Sequence, residues 1–517
     1  MSVKSSLLLV ISEPTLFIYK KSNMLNLKRN NVLKKLPLGG LGGLLLFISL
    51  PLMAQRNSVP EEAGKEVSRE VTIDTSNRLQ TIEGWGVSLC WWAHMCGKWE
   101  ESKIDSLVDW LVSPDGLNYN IFRYNIGGGD DPQNRNCDLH HMARGKGIRA
   151  EMPGFKHYPT DTAYDWQADS AQIKIMLKIR ERRPDAIFEA FSNSAPWYMT
   201  VSGCVGGHKD KNKDNLRPDC YEAFADYLID VCKHFKDAYG LEFRTLEPFN
   251  EPLTDYWYQN GSQEGCHFDT SSQIAFIKVL YPKLKASGLN TVISASDETC
   301  LPHSLTALKA YTEAGIMPMI GQWNTHTYYG SNEEKVALRD SIKNINERLS
   351  SSPTARKPLP HSRGKMSAGQ KGVVLWQSET GDGGRGIKGN LKMLQRLFDD
   401  MRYLQPAAWL DWQYYGEHDT QWCLVTGDFK SQTMYRHDNY YVRQHVTKYI
   451  KKGYTILNVD DRQTLAAISP DGKEIVIVAL NNSRDTVTIT YNFPNTKRTI
   501  TLKPWSVETF NVVPLYK

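Results

Sequence analysis

Between about residues 82 and 415, short apolar runs rich in aromatic and β-branched residues recur. Each is followed by a stretch with apolar positions three and four residues apart. The runs are IEGWGVSLCWW (82–92), YNIFRYNIG (119–127), IFEAFSNSAP (187–196), FRTLEPFN (243–250), TVISASD (291–297), IGQWNTHTY (320–328), VVLWQSETG (373–381) and AAWLDWQYY (407–415). Between them YEAFADYLIDVCKHFKDAY (221–239), QIAFIKVLYPKLKAS (273–287) and NLKMLQRLFDDMRYL (390–404) read as amphipathic helices. Eight strand-and-helix units predict an α/β fold, a (β/α)8 TIM barrel over residues 82–436. A doubly wound open sheet is the rival topology, and eight units in about 350 residues favour closure.

The period changes near residue 440. LAAISPDGKEIVIVALNNSRDTVTITYNF and RTITLKPWSVETFNVV alternate apolar and polar residues around Pro-Asp-Gly and Asn-Asn turns. This predicts a smaller antiparallel β-sandwich side domain over 437–517, to which VTIDTSNRLQTI adds an N-terminal strand (71–81). Residues 55–70 read as a polar linker, and the Pro/Ser/Lys-rich stretch 350–372 as an exposed loop before the seventh strand.

At the front, LNLKRNNVLKKL is basic, GGLGGLLLFISLPLM is apolar and Ala54 offers a small residue for cleavage, so 1–54 reads as a signal peptide with Met24 a plausible start. The apolar run is short and glycine-rich for a membrane span, and no cysteine follows it for a lipid anchor. The expectation is an exported protein, periplasmic or secreted, without stable membrane insertion.

Composition sharpens this picture. The formal charge of +5 owes its sign to seven Lys/Arg against one acid in residues 1–54; the remainder carries about −1, which gives no basic surface for nucleic acid. With 14 Trp and 25 Tyr in an otherwise polar chain, a surface that stacks on sugar rings is plausible, although core packing accounts for any one of them. Nine cysteines are too few for a disulfide scaffold in 517 residues; Cys204 and Cys220, flanking a polar loop, are a candidate pair. His140-His141 is a lone doublet without metal-site spacing, and GGG at 127–129 lacks a dinucleotide-binding context, so no metal or cofactor is called for.

The chemistry is expected where barrel strands end. Glu251, in EPFNEP, closes the fourth run and Glu379, in WQSETG, the seventh. Two carboxylates on different strands facing one cleft suit glycoside hydrolysis, one protonating the leaving oxygen and the other attacking the anomeric carbon. Glu247 points to the same side as Glu251 but deeper, where packing is its expected role.

EPFNEP and WQSETG on these strands, with IEGWGVSLCWWA, NIFRYNIGGGD, QEGCHF and LKPWSVETF, resemble the glycoside hydrolases of clan A, and within it family 30, from about residue 71 to the end. The resemblance is strongest to that family's endo-β-1,6-galactanase branch. It implies a retaining enzyme acting on polysaccharide or oligosaccharide, with Glu251 as acid/base and Glu379 as nucleophile. Arg123 and Tyr328 would orient the nucleophile and Asn250 would hold the 2-hydroxyl. His326, Trp197, Trp412 and Asp130 complete the implied substrate-binding set. Ser192-Asn193-Ser194 stands where glucosylceramidase-type members carry an SPW aromatic, which favours a different sugar. The alternatives are a β-1,6-glucanase, a β-xylosidase or a glucosylceramidase-like β-glucosidase of the same family, or a sugar-binding barrel without activity. Endo or exo action depends on how loops 201–220 and 255–268 frame the cleft.

Overall fold

The computed structural model describes residues 64–138, 140–144, 149–351, 372–381 and 384–513. The expected signal peptide, most of the expected linker and nearly all of the Pro/Ser/Lys-rich loop lie outside the described residues.

The strands in chain order begin with β1 (Glu66–Thr72) and β2 (Arg78–Thr81). The next eight are β3 (Gly84–Ser88), β4 (Ile121–Asn125), β5 (Ile187–Phe191), β6 (Thr245–Glu247), β7 (Val292–Cys300), β8 (Ile320–Tyr329), β9 (Val374–Glu379) and β10 (Ala408–Asp411). These eight close into a parallel barrel in the order β10-β3-β4-β5-β6-β7-β8-β9. Each lies within one of the eight apolar runs or extends it by up to three residues. Runs such as IFRYN are buried throughout because helices cover the outside while side chains fill the inside, so parallel strands show no polar alternation. The helices form from amphipathic stretches. Tyr221–Tyr239 buries Phe224, Leu228, Val231, Cys232 and Phe235 along one stripe and stops at Gly240, whose φ of 61° belongs to the left-handed region glycine enters freely.

β11 (Gln413–Glu417), β12 (Cys423–Asp428) and β13 (Thr433–Arg436) form a small separate sheet, so the eighth apolar run holds two strands rather than one. The side domain has β14 (Thr455–Leu457), β15 (Thr464–Ile468), β16 (Ile475–Asn481), β17 (Thr486–Phe493), β18 (Thr496–Leu502) and β19 (Ser506–Val512). They build two sheets, β19-β16-β15-β14-β2 and β1-β17-β18.

Three expectations need correction. The expected linker already contains the start of β1, and the N-terminal stretch supplies two strands, one to each sheet. The pairing of β1 with β17 is parallel, so the side domain is not wholly antiparallel. Residues 437–454 are not side-domain strand: Asp438–Thr447 is a helix that buries Tyr440, Val442 and Val446.

The cysteine pairing also differs. The disulfide joins Cys137 to Cys204, and Cys220 is free. Cys220 starts the helix Tyr221–Tyr239 and accepts a hydrogen bond from Arg217 Nη2 at 3.0 Å, while Cys204 faces the loop after β4. Its Cα stands 5.7 Å from that of Cys137, within bridging reach.

Candidate active site

The barrel floor is polar and fully buried. Arg123 on β4 donates to Glu189 Oε1 at 2.9 Å and to Asp297, and reaches up to Glu379 Oε2 at 3.2 Å. Glu189 also accepts from Thr245, Ser294, Gln322 and Asn324, at 2.6 to 3.1 Å. Asn324 donates to Glu247 as well, at 3.3 Å. Glu247 thus belongs to this floor rather than packing in an apolar core. Burial, reinforced by the Asp297 and Glu189 charges, drives its carboxyl well above the usual carboxylate range. A buried cation with three carboxylates against it does not titrate: burial opposes the charged guanidinium, and Asp297, Glu189 and Glu379 more than offset that opposition.

Above this floor stand the two glutamates, Glu251 four residues past the end of β6 and Glu379 the last residue of β9. Both are buried, 6% and 4% exposed, and a carboxylate oxygen of each lies with a nitrogen of His326 in a group whose members are all within 4.8 Å of one another. His326 owes its position to an irregularity in β8. The register against β9 shifts between Thr325 and His326, which sets His326 opposite Glu379. Its Nδ1 is 3.0 Å from Glu251 Oε1 and 3.6 Å from Glu379 Oε1, and its Nε2 is 3.1 Å from Asp297 Oδ1. Burial works against a charged imidazole, but Glu379 and Asp297 outweigh it and raise His326 well above its usual range. Asp297 responds in the opposite sense: burial would raise it, and Arg123 and His326 bring it down to about 2.

The two glutamates are held differently. Glu379 accepts from Tyr328 Oη at 2.9 Å and from Arg123. Burial pushes its carboxyl up to about 7; His326 and Arg123 pull it down and the Glu251 charge adds to the rise. The expected Arg123 contact is present, but burial outweighs it. Protonation of Glu251 removes one of the raising influences. Glu251 accepts a hydrogen bond from Tyr256 Oη. Its backbone, at φ 50°, is in the left-handed region that non-glycine residues avoid, and both of its peptide groups are tied. Its N–H donates to Asp297 O at 2.9 Å, and its carbonyl accepts from Trp257 Nε1 at 3.0 Å and Thr254 Oγ1 at 2.7 Å.

Both glutamates open into a cleft of about 950 Å3, lined by Trp91, Asn250, Tyr256, Tyr328, Trp412 and Trp422 among others. Trp91 and Trp412 meet edge to face at 5.2 Å. Tyr258 and Tyr329, 50% and 73% exposed, continue the aromatic lining to the rim. Such walls fit the apolar faces of pyranose rings.

The structure therefore brings Glu251, Glu379, Arg123, Asn250, His326, Tyr328 and Trp412 together. Trp197 and Asp130 stand apart. The Trp197 indole donates to His157 O at 2.9 Å under the Arg135 guanidinium, and it lines no part of the cleft. Asp130 is paired with His141 Nε2 at 2.7 Å beside the disulfide. His141, from the doublet, also hydrogen-bonds Gly261 O and is a loop fastener. Sequence reasoning missed Asp297 and Tyr256. Asp297 ends the fifth apolar run, where the strand-end rule could have found it. Tyr256 sits in an irregular loop with no spacing signal.

The profile of O-glycosyl hydrolase family 30 matches residues 68–393. An endo-β-1,6-galactanase from Hypocrea rufa is 30% identical over 456 residues, covering 85% of this chain and 87% of that protein. An exo-β-1,6-galactobiohydrolase from Bifidobacterium longum is 26% identical over 360 residues, covering 53% of this chain and 23% of that protein. A conserved exported protein from Bacteroides fragilis shares the fold with a TM-score of 0.69 at 18% identity, over 86% of this chain and all of that one.

Proposed function

Because the chain belongs to O-glycosyl hydrolase family 30, we propose that it hydrolyses β-1,6-linked galactan by a retaining double displacement, with Glu379 as nucleophile and Glu251 as acid/base. The enzyme is a glycoside hydrolase. The proximity of the two carboxylates supports the retaining route: oxygens within 4.8 Å suit a pair of carboxyl groups about 5–5.5 Å apart, with no room for the water an inverting enzyme holds between them.

In the first step Glu379 Oε attacks the anomeric carbon as Glu251 passes its proton to the departing glycosidic oxygen. In the second, Glu251 takes a proton from water, which displaces Glu379. Tyr328 and Arg123 orient the nucleophile, and the Arg123 charge favours its ionised form. Tyr256 and His326 fix the Glu251 carboxyl, while Asn250 and Trp412 contact the sugar. The relative of 30% identity supports galactan as the substrate. The tyrosines at the rim support a chain longer than one sugar, hence endo action. The basic and then apolar character of the first 54 residues supports export.

A hydrolysis panel on β-1,6-galactan, β-1,6-glucan, xylan and aryl β-glycosides tests the sugar, and release of the β anomer from galactan is the expected first product. Mutants test the roles. Glu379→Ala should lose activity on every substrate. Glu251→Ala should keep glycosyl-enzyme formation from a dinitrophenyl glycoside, with azide restoring turnover as the β-glycosyl azide. Exchanged behaviour reverses the roles, and near-wild-type activity in either mutant removes the mechanism.

A further inference from the structure

Behind Gly261 of the cleft wall lies a polar cluster that glycoside hydrolysis does not use. Asp130, Cys137 and His141, in the loop after β4, meet Cys204, in the loop after β5. One carboxylate oxygen, one ring nitrogen and two sulfurs all lie within 4.8 Å of one another. His141 Nε2 is 2.7 Å from Asp130 Oδ2 and 3.8 Å from Cys204 Sγ, and Cys137 Sγ is 3.4 Å from Asp130 Oδ1. Both polar groups are aimed from outside the cluster. His141 Nδ1 hydrogen-bonds Gly261 O, which turns Nε2 towards the sulfurs, and Val205 N–H donates to Asp130 Oδ1 at 3.3 Å. Metal-binding histidines are oriented in this way, the second ring nitrogen tied to a backbone carbonyl. Cys137, His141 and Cys204 are buried, and the Asp130 edge, 12% exposed, gives an ion a way in. A disulfide alone needs neither an imidazole nor a carboxylate against it.

We infer that Asp130, Cys137, His141 and Cys204 form a closed structural zinc site, filled when the disulfide is reduced. Two thiolates, an imidazole and a carboxylate are ligand types of four-coordinate zinc, and four protein ligands leave no position open for catalysis. A dithiol supplies two electrons and two protons and becomes a disulfide itself, while the Cys137–Cys204 bond opens to two thiols. Zn2+ then forms two S–Zn bonds as both thiol protons leave to solvent. The disulfide ties the loops after β4 and β5, and His141 extends the tie to Gly261 in the loop after β6. Under reducing conditions the metal holds the same three loops.

Cobalt(II) reports such a site, because it takes tetrahedral zinc positions and shows thiolate ligation as a charge-transfer band in the near ultraviolet. The full chain is reduced with a water-soluble phosphine, freed of excess reagent without air, and titrated with Co2+ and then Zn2+. Reduced wild type should take up one Co2+ per chain with the thiolate band, and Zn2+ should displace it. The oxidised chain should show no band. The double variant Cys137→Ser/Cys204→Ser, reduced alongside, should show none either, which separates the site from the seven free cysteines. His141→Ala keeps the disulfide for folding. Once reduced, it should bind Co2+ at least about tenfold more weakly, since even groups behind a ligand are worth roughly 10- to 100-fold. No uptake by reduced wild type, whether circular dichroism shows it folded or unfolded, overturns the site. So does a band undiminished in the double cysteine variant, or an affinity unchanged in His141→Ala. Uptake by the oxidised chain without a thiolate band overturns the cysteine ligands.

Discussion

At the scale of residues, the site divides one buried electrostatic system into a fixed part and a titrating part. Arg123 and Asp297 keep their charges across the working range, whereas burial lifts Glu379 to about 7. A nucleophile must be ionised, so the acidic limb of kcat/KM should report its deprotonation. The sign of one perturbation follows. The Tyr328 hydroxyl donates to the Glu379 carboxylate and favours the charged form. Tyr328→Phe should therefore move the acidic limb to higher pH, as well as lowering kcat, in a pH–rate profile on an aryl glycoside. A limb that stays in place, or moves down, would show that Tyr328 does not hold the ionised nucleophile. Asp297 carries a similar prediction for stability. Its carboxyl is depressed, so the stability it contributes is present above its ordinary value near 3.9 and lost as pH falls through about 2. Asp297→Asn should accordingly lose stability relative to wild type most at neutral pH and least near pH 2, measured by thermal melts across that range. The two glutamates were legible in the sequence because both end apolar runs. Asp130 and Trp197, assigned to the sugar on the family resemblance, follow such runs too. Position beside a strand end does not say which way a loop turns, and these loops turn away from the cleft into the disulfide and the Arg135 contact.

At the scale of elements, the loop after β6 is what keeps Glu251 in its unfavourable backbone conformation. Trp257 lies in this loop, almost fully buried, with its indole on the Glu251 carbonyl. Gly265 passes so close that an added Cβ would meet the Trp257 ring at 2.1 Å, and a buried indole has nowhere to go. Gly265→Ala should displace Trp257 and lower kcat on all substrates by roughly tenfold or more, since small misplacements of a catalytic group carry penalties of that order. The fold should remain, which circular dichroism would check. Unchanged kcat would mean that Trp257 is not what positions Glu251. All eight barrel strands were readable as apolar runs because a parallel sheet buried on both faces writes itself as continuous hydrophobic sequence. β11 to β13 were not, because residues 413–436 mix tyrosines with turn residues and their partial burial gives no clean period.

At the scale of the whole molecule, barrel and side domain are tied at several points. Ile82 N donates to Tyr454 O at 2.8 Å and Trp85 Nε1 to Ile450 O at 2.6 Å, while β2 and β1 complete the two side-domain sheets. Deleting residues 64–81 should therefore remove a strand from each sheet and lower the melting temperature by roughly 10 °C or more, still in one transition. Two separate transitions would make the side domain an independent unit. The alternation of the C-terminal strands was plain in the sequence, but the parallel partnership of β1 was not, since pairing across the length of a chain leaves no local mark. That partnership sets a schedule for biogenesis. β1 is made long before its partner β17: Lys65 and Asp485, which join beside it, are 420 residues apart. At about 5–20 residues per second the early strand waits on the order of 20–80 s for its neighbour to be synthesised. Through that interval its edge is open to any other extended chain. Crowding of unfinished chains, more than the stability of the finished one, would then limit yield.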